Sequence, residues 1–596
     1  MCGIFGIVTT HEQPLGDILT DAGRALSYRG YDSVGAATIH ADGQIDLRKD
    51  VGKVDAVAQQ HRFSEMTGVR GMVQLRWATF GVPSPANAQP HLDSDGDMVG
   101  AHNGNVVNNV ELRRQFIAEG MTVRSENDGE SCVHAVERHA NRGLGMIDAI
   151  RAAAGDLHGD YAFVIGHVNE DRLHALKKGS GLVAGLGDGF TVLSSDLPSL
   201  LPLTRTILRV SDGEIVTLYA DRVEIRRVAD GSLVDRAPER ITESMEAAAK
   251  GGYPHFMLKE IHEQPKLVGD LLDLLDEKAD MADIARRLKS ARHLYFVGCG
   301  TSYHACILGS IYVARLAGRP AIPVLAPQFI VQYAPTLGPE DVGVFVSQSG
   351  ETKDVLLALE AAQARGATAF GMVNVIGSTL MTETAAQLPL ACGFEISVPA
   401  TKTFMNQCLA FLYTAMVMGG HDTATLRELP GLLEQTLAAV DAPVAALADA
   451  LVRQDDLYCL GYGLTYPLAL EGALKFKEVT YAHCEGILSA EFKHGPLSAV
   501  YDGYPVLFLA GCEDIPALVS GINEVTCRGG RAIAFGADDS RLRDNASDLI
   551  ALPAAPAHFE PLLAALPLQL LSYRVSVARG YDPDFPRNLS KTLTVD

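Results

Sequence analysis

The chain has 596 residues, 47% hydrophobic and 20% charged, an ordinary globular composition and too long for one core, so about three domains are expected. Fifty Lys and Arg against 72 Asp and Glu leave a net charge of −22, which disfavours nucleic acid and anionic membranes as partners. The sequence shows no signal peptide and no apolar stretch that reads as a membrane span, and its ten cysteines (2, 132, 299, 306, 392, 408, 459, 484, 512, 527) never form a C-x-x-C pair, which argues against zinc or disulfides and for a reducing cytoplasm.

The chain opens Met1-Cys2-Gly3-Ile4-Phe5-Gly6-Ile7-Val8. If Met1 is trimmed, Cys2 carries both a thiol and a free α-amine, which has an ordinary pKa of about 8 and can take the thiol proton without a separate histidine. The alternative is an ordinary or lipidated cysteine. Short β-type runs follow (34–39, 161–166, 191–195), with helical stretches at 129–140 and 146–154 between them, a pattern for stacked sheets covered by helices. The polar stretch 243–252 reads as a linker into Lys259-Glu260-Ile261-His262-Glu263-Gln264-Pro265.

Strand and long helix then alternate, as in a parallel sheet, and they do so twice. Leu294–Ser302 matches Leu457–Thr465, each a strand, a Gly-x-Gly turn and a helix start, so two related α/β domains in tandem are expected. Tyr303 and Tyr466 stand where a dinucleotide fingerprint needs its third Gly, and no nucleotide P-loop occurs.

In the first copy Val344-Phe345-Val346 runs into Ser347-Gln348-Ser349-Gly350-Glu351-Thr352 and then a helix over 353–365. Hydroxyls around a Gly at a helix N-terminus suit a phosphomonoester, although a plain helix cap uses the same residues. The second copy lacks this run, so one sugar phosphate per pair of copies is expected. Glu471, Lys475 and Glu478 share a helix face at i, i+4, i+7. Alone they read as a solvated ion pair. With Lys493-His494-Gly495-Pro496 close behind, a ring-opening acid and a carboxylate that moves a proton between sugar carbons become the stronger reading. The end, Pro586–Asp596, is either disordered or docked, and Lys591 can form a Schiff base with a ketone if desolvated.

These residues are recognisable. Cys-Gly-Ile at the start, Tyr28–Ser33, Arg76-Trp77-Ala78-Thr79, His102-Asn103-Gly104, Ser125–Asp128, Ser347–Thr352, Lys493–Pro496 and the Lys591 ending together resemble the isomerising glutamine–fructose-6-phosphate aminotransferase (glucosamine-6-phosphate synthase) family over essentially the whole chain. That resemblance implies an α/β multidomain protein: an N-terminal αββα Ntn-hydrolase glutaminase followed by two doubly wound parallel α/β SIS domains. The divisions are 2–240, a linker and leading helix at 241–280, SIS domains at 281–425 and 448–585, and a tail at 586–596.

It also implies that Cys2 forms a γ-glutamyl thioester, that Asn103 and Gly104 make the oxyanion hole, and that Arg29, Arg76, Thr79 and Asp128 hold L-glutamine, with Trp77 gating an ammonia channel. Thr301, Ser302, Ser347, Gln348, Ser349 and Thr352 would bind D-fructose 6-phosphate, with Glu471 and Lys475 supporting. His494 would open the ring, Lys591 would form the imine and Glu478 would shuttle the proton, giving D-glucosamine 6-phosphate, the first step of hexosamine (UDP-N-acetylglucosamine) biosynthesis. The family uses no metal or organic cofactor, and its Lys-His-Gly-Pro histidine serves a neighbouring subunit, so a homodimer in the cytoplasm is implied, with no nucleic acid or membrane partner.

The chain departs from the family pattern at Phe80, where His is usual, at Gln74-Leu75 before Arg76, and at Val398-Pro399-Ala400-Thr401-Lys402. Phe80 and Pro399 keep a second enzyme reading open, a paralogue aminating or deaminating another ketose or amino-sugar phosphate. A non-catalytic sugar-phosphate sensor is the third, and it has no use for Cys2 or Lys591.

Overall fold

The computed structural model describes residues 2–241 and 250–591. Most of the sequence-expected linker (243–249) and the last five residues of the tail (592–596) lie outside the described residues. Residues 2–241, with which Ser590 and Lys591 group, form one compact unit, and 250–589 form a second.

The first unit stacks an eight-stranded and a six-stranded sheet, both antiparallel. Strand Gly3–Pro14 runs between Phe190–Ser194 and Thr67–Arg76, so Cys2 enters the sheet at its middle. Alternation with period two sorts the side chains. Val99, Ala101, Ala162 and Val164 face Ile4, Val8 and Met72 of the other sheet. Met98, Val106, Phe163 and Ile165 instead pack under the helices Asp128–Ala140 and Met146–Asp156. Helix Gly16–Leu26 packs on Thr67–Arg76 of the first sheet. The result is the αββα layering.

The second unit holds two five-stranded parallel sheets of the same order. In chain-order numbering within each sheet, both run 2-1-3-4-5. The central strands are Leu294–Gly298 beside Val342–Ser347 in the first and Asp456–Gly461 beside Pro505–Ala510 in the second. That order reverses direction between strands 1 and 3, and open α/β sheets bind ligands at the carboxyl end of such a switch point. In the first sheet this places Gly298–Ser302 and Ser347–Thr352 side by side.

One core serves both sheets, with helices Lys402–Gly419, Leu429–Leu451 and Glu560–Ala578 among its contributors. The helix Glu560–Ala578 corrects the expectation that no stretch is apolar enough to span a bilayer. By length and composition it is, but 83% of its apolar window is buried inside the protein. A helix apolar on all sides is what a central core position requires.

Candidate functional site

Cys2 is buried, and its Sγ lies 3.4 Å from the backbone N–H of Trp77 and 3.6 Å from the Trp77 carbonyl. Burial raises the thiol pKa; Arg76 pulls it down and Asp128 pushes it up, so both side chains act on it. A thiol held protonated needs a base at the moment of attack. Arg29 donates from Nε to the Cys2 carbonyl at 3.3 Å, fixing the backbone of the nucleophile. Trp77 packs edge-on against Tyr31, centroids 5.8 Å apart, and Asp32 accepts the N–H of Ala78 at 2.8 Å, which pins the loop after Arg76.

The first unit also holds buried polar atoms that lack hydrogen-bond partners among the described residues. Arg76 donates from Nη2 to the carbonyls of Phe80 and Gly81, but its Nε and Nη1 have no partner. Both side-chain atoms of Asn103 and both ring nitrogens of His102 likewise have no hydrogen bond. Burial lowers the pKa of His102 and of Arg76. Orphaned buried donors and acceptors are costly, and they are found where a ligand supplies the missing bonds. A guanidinium with free N–H groups matches a carboxylate. Gly104 has φ +133°, and a Cβ there would sit 2.2 Å from the Asp160 carbonyl, so only glycine lets the strand turn its amide as it does.

Asp128 opens helix Asp128–Ala140, capped by the Asn127 side chain. One of its oxygens accepts from Val106 N at 3.0 Å, and the other lies 3.8 Å from His102 Nδ1. The structure thus brings Cys2, Arg29, Trp77, Arg76, Asn103, Gly104 and Asp128 into the first unit's interior. Thr79 is exposed and is not among these buried groups. The Phe80 side chain is half-buried, and it is the Phe80 carbonyl that Arg76 uses.

In the second unit, Ser347 Oγ accepts from Gly350 N at 3.0 Å and pairs with Thr352 Oγ1 at 2.9 Å. Ser349 Oγ accepts from Glu351 N at 3.1 Å. Gln348 is half-buried, with its carbonyl taken by Asn374 and Val375. The loop ends at the N-terminus of helix Lys353–Gln363, as an anion site needs. Ser302 Oγ accepts from Gln407 Nε2 at 2.9 Å, on helix Gly300–Ala317 at the neighbouring strand end.

The corresponding loop of the second copy, Gly511 to Asp514, is acidic. Glu560 accepts the Cys512 amide at 3.0 Å, and burial raises the pKa of Asp514 and Glu560. A phosphate there would meet carboxylates, which gives the physical reason for one anion site per pair of copies.

Helix Tyr466–Thr480 carries Glu471, Lys475 and Glu478. Lys475 is fully buried, with Nζ 2.5 Å from Glu478, 3.3 Å from Glu471 and 3.2 Å from Thr301 Oγ1. Burial opposes its charge, but Glu471 and Glu478 outweigh that and raise its pKa. Glu471 also accepts from Thr301 Oγ1 at 3.0 Å and pairs with His304 Nδ1 at 2.8 Å. This is a buried site and not the solvated ion pair that the helix segment alone suggested. His494 ends a turn at the surface, exposed and without a side-chain hydrogen bond among the described residues. Lys591 is half-buried and groups with the first unit.

His304 and Gln407 were not singled out from the sequence, and Asp32 and His102 stood there only inside matching motifs, with no role given. His304 had a signal, since it lies three residues after Thr301 and so on the same helix face; Gln407 had none.

A glutamine amidotransferase domain model matches residues 74–201, and an SIS domain model matches 287–417 and again 450–579. The chain is 40% identical to the glutamine–fructose-6-phosphate aminotransferase [isomerizing] of Pyrobaculum aerophilum and 39% to that of Methanothermobacter thermautotrophicus, each over 100% of both chains. Among solved structures, the C-terminal domain of glucosamine-fructose-6-phosphate aminotransferase from Francisella tularensis is 30% identical, with TM-score 0.53, covering 57% of this chain and 100% of that one.

Proposed function

The chain belongs to the isomerising glutamine–fructose-6-phosphate aminotransferase family, and from that premise we propose how its own residues convert D-fructose 6-phosphate and L-glutamine into D-glucosamine 6-phosphate and L-glutamate. The observation that carries the glutaminase half is the buried Cys2 thiol, which feels the charge of Arg76, in a unit whose buried Arg76 N–H groups and Asn103 amide lack hydrogen bonds among the described residues.

With Met1 removed, the freed amine of Cys2 accepts the thiol proton as sulfur attacks the glutamine amide carbon. Asn103 and the Gly104 amide receive the oxyanion, a contribution on the order of 3 kcal/mol per donor in comparable sites. Arg76 holds the α-carboxylate and Asp128 the α-ammonium. Arg29 and Thr79 belong to the surrounding loops, and Thr79 reaches the substrate only if its loop closes. The C–N bond breaks, ammonia leaves with the proton, and water hydrolyses the thioester to glutamate. Trp77 separates the ammonia from solvent; Trp77→Ala would release glutamate without a matching yield of amino sugar.

In the synthase half, Ser302, Ser347, Gln348, Ser349 and Thr352 bind the phosphate. His494 protonates the ring oxygen to open the sugar, and Lys591 condenses with the C2 ketone, releasing water. Ammonia displaces the lysine from that imine, and Glu478 carries the proton from C1 to C2, with Lys475, Glu471 and Thr301 fixing its place. The exposed His494 supports a homodimer in which it acts on the neighbouring chain. The free cysteines support a cytoplasmic location, which cell fractionation checks.

The test is Cys2→Ala. It should abolish glutamine-dependent synthesis and leave synthesis from ammonia measurable; equal loss of both would overturn the separation of half-reactions. Mass spectrometry of the intact protein shows whether Met1 is gone.

A further inference from the structure

His304 is a largely buried titratable group that the mechanism above leaves unused. It lies on helix Gly300–Ala317 of the first α/β copy, while its partner Glu471 lies on helix Tyr466–Thr480 of the second. The His304 side chain is 13% exposed and Glu471 4%. The contact is short, 2.8 Å from Nδ1 to Oε2, and a carboxylate partner assigns the proton to Nδ1. The other Glu471 oxygen, Oε1, takes Thr301 and lies 3.3 Å from Lys475.

Lys475 therefore sits between two carboxylates and leans to one of them: 2.5 Å from Glu478 against 3.3 Å from Glu471. Coulomb attraction alone does not choose between two carboxylates on one helix. Glu471 is engaged on both oxygens, by a hydroxyl on one and an imidazole on the other. A carboxylate that accepts these bonds has its charge partly compensated and attracts a third donor less.

We propose that His304 is a positioning residue for the isomerisation, keeping Glu471 engaged so that Lys475 stays paired with Glu478 and holds that carboxylate where a proton is to be moved. This rests on assigning the proton shuttle to Glu478. Without His304, Glu471 turns to Lys475 and the Lys475–Glu478 contact weakens. His304 touches no substrate in this scheme, and the sugar-binding hydroxyls are untouched, so the effect falls on turnover and not on sugar affinity.

The experiment compares the full-length enzyme with His304→Ala and His304→Asn, since the asparagine amide can donate from nearly the Nδ1 position. Synthesis kinetics, glutamate release and loss of C1 hydrogen to solvent are measured together. His304→Ala should lower kcat roughly tenfold, the scale of a mispositioned acid–base group, with KM for fructose 6-phosphate unchanged within about twofold. Hydrogen loss from C1 should fall with kcat, glutamate release should stay normal, and His304→Asn should restore most of the turnover. If His304→Ala does not fold, His304→Met, nearer in volume, replaces it with the same expected result.

Unchanged kcat, or a rise in KM with no recovery in His304→Asn, would show a merely structural tie between the two helices and overturn the proposal. Glu478→Gln separates the layers. If that variant still exchanges the C1 hydrogen, the shuttle assignment itself fails; if it does not, the His304 result stands or falls alone.

Discussion

Behind the glutaminase cluster, His134 is wholly buried between Glu137, 2.6 Å from its Nδ1, and Glu130, 3.5 Å from its Nε2. Glu130 also accepts the amides of Arg124 at 2.7 Å and Ser125 at 2.6 Å, so it holds the turn that leads to Asp128. Burial works against the Glu130 charge, but His134, His91 and those amides outweigh it and hold its pKa at about 2. Burial likewise works against protonated His134, yet the two carboxylates raise its pKa. The signs are opposite. The depressed Glu130 adds stability above its ordinary value of 4.5, lost as pH falls toward about 2. The raised His134 adds stability below its ordinary value of 6.5, lost as pH rises through its folded-state pKa. Both are in full force only between those ordinary values. His134→Gln should therefore lower the Tm of the glutaminase transition by roughly 5–10 °C near pH 6, because a buried carboxylate pair loses its counter-charge, and by much less near pH 9. Calorimetry across pH checks this; a Tm difference that ignores pH would refute the assignment. The helical stretch 129–140 was legible in the sequence, but that Glu130, His134 and Glu137 close on one another depends on burial, which spacing does not report.

At the scale of elements, strands in parallel sheets buried on both faces read as continuous apolar runs, so 294–298 and 457–461 were legible at once. The Ser347–Thr352 turn was legible for a different reason: only a strand end opening a helix concentrates hydroxyls and a glycine in that order. Strand order was not legible, because the 2-1-3-4-5 arrangement is fixed by helix packing on the sheet faces and not by any local pattern. Nor was the meeting of His304 with Glu471, 167 positions apart. The turn's glycine makes a sharp prediction. Gly350 has φ +69°, and a Cβ there would lie 2.1 Å from Ser378 Oγ. Gly350→Ala must therefore either displace Ser378 or flatten the turn, taking the Ser347 and Thr352 hydroxyls out of place. KM for fructose 6-phosphate should rise at least about tenfold while glutamate release is retained, since one lost charge-assisted hydrogen bond is already of that size. Adding Ser378→Gly removes the nearest clash but leaves Val373 Cγ2 at 2.8 Å and left-handed strain of about 1–2 kcal/mol, so recovery should be partial. Full activity in the single variant would show that the turn does not bind the phosphate.

For the whole molecule, the exposed position of His494 makes the quaternary prediction. An acid that must protonate a ring oxygen has to reach a site from which bulk water is largely excluded, and in its own chain His494 faces solvent. A two-fold symmetric pair solves this reciprocally, each chain lending its histidine to the other's phosphate site. His494→Ala and Glu478→Gln chains should each be inactive as homodimers. After mixing in equal amounts and free subunit exchange, half of the dimers are mixed, and each mixed dimer has one site with both residues intact, so about a quarter of wild-type synthase activity should return. If His494 served its own chain, no site in any mixed dimer would be whole and nothing would return. Glutamate release, which uses neither residue, gives the internal standard. The same mixture with Cys2→Ala in place of Glu478→Gln extends the argument to nitrogen transfer. Recovery there is what delivery within each chain predicts, since the one intact phosphate site belongs to the His494→Ala chain, which keeps Cys2; if ammonia instead crossed to the partner, that site would stay silent with glutamine and work with added ammonia.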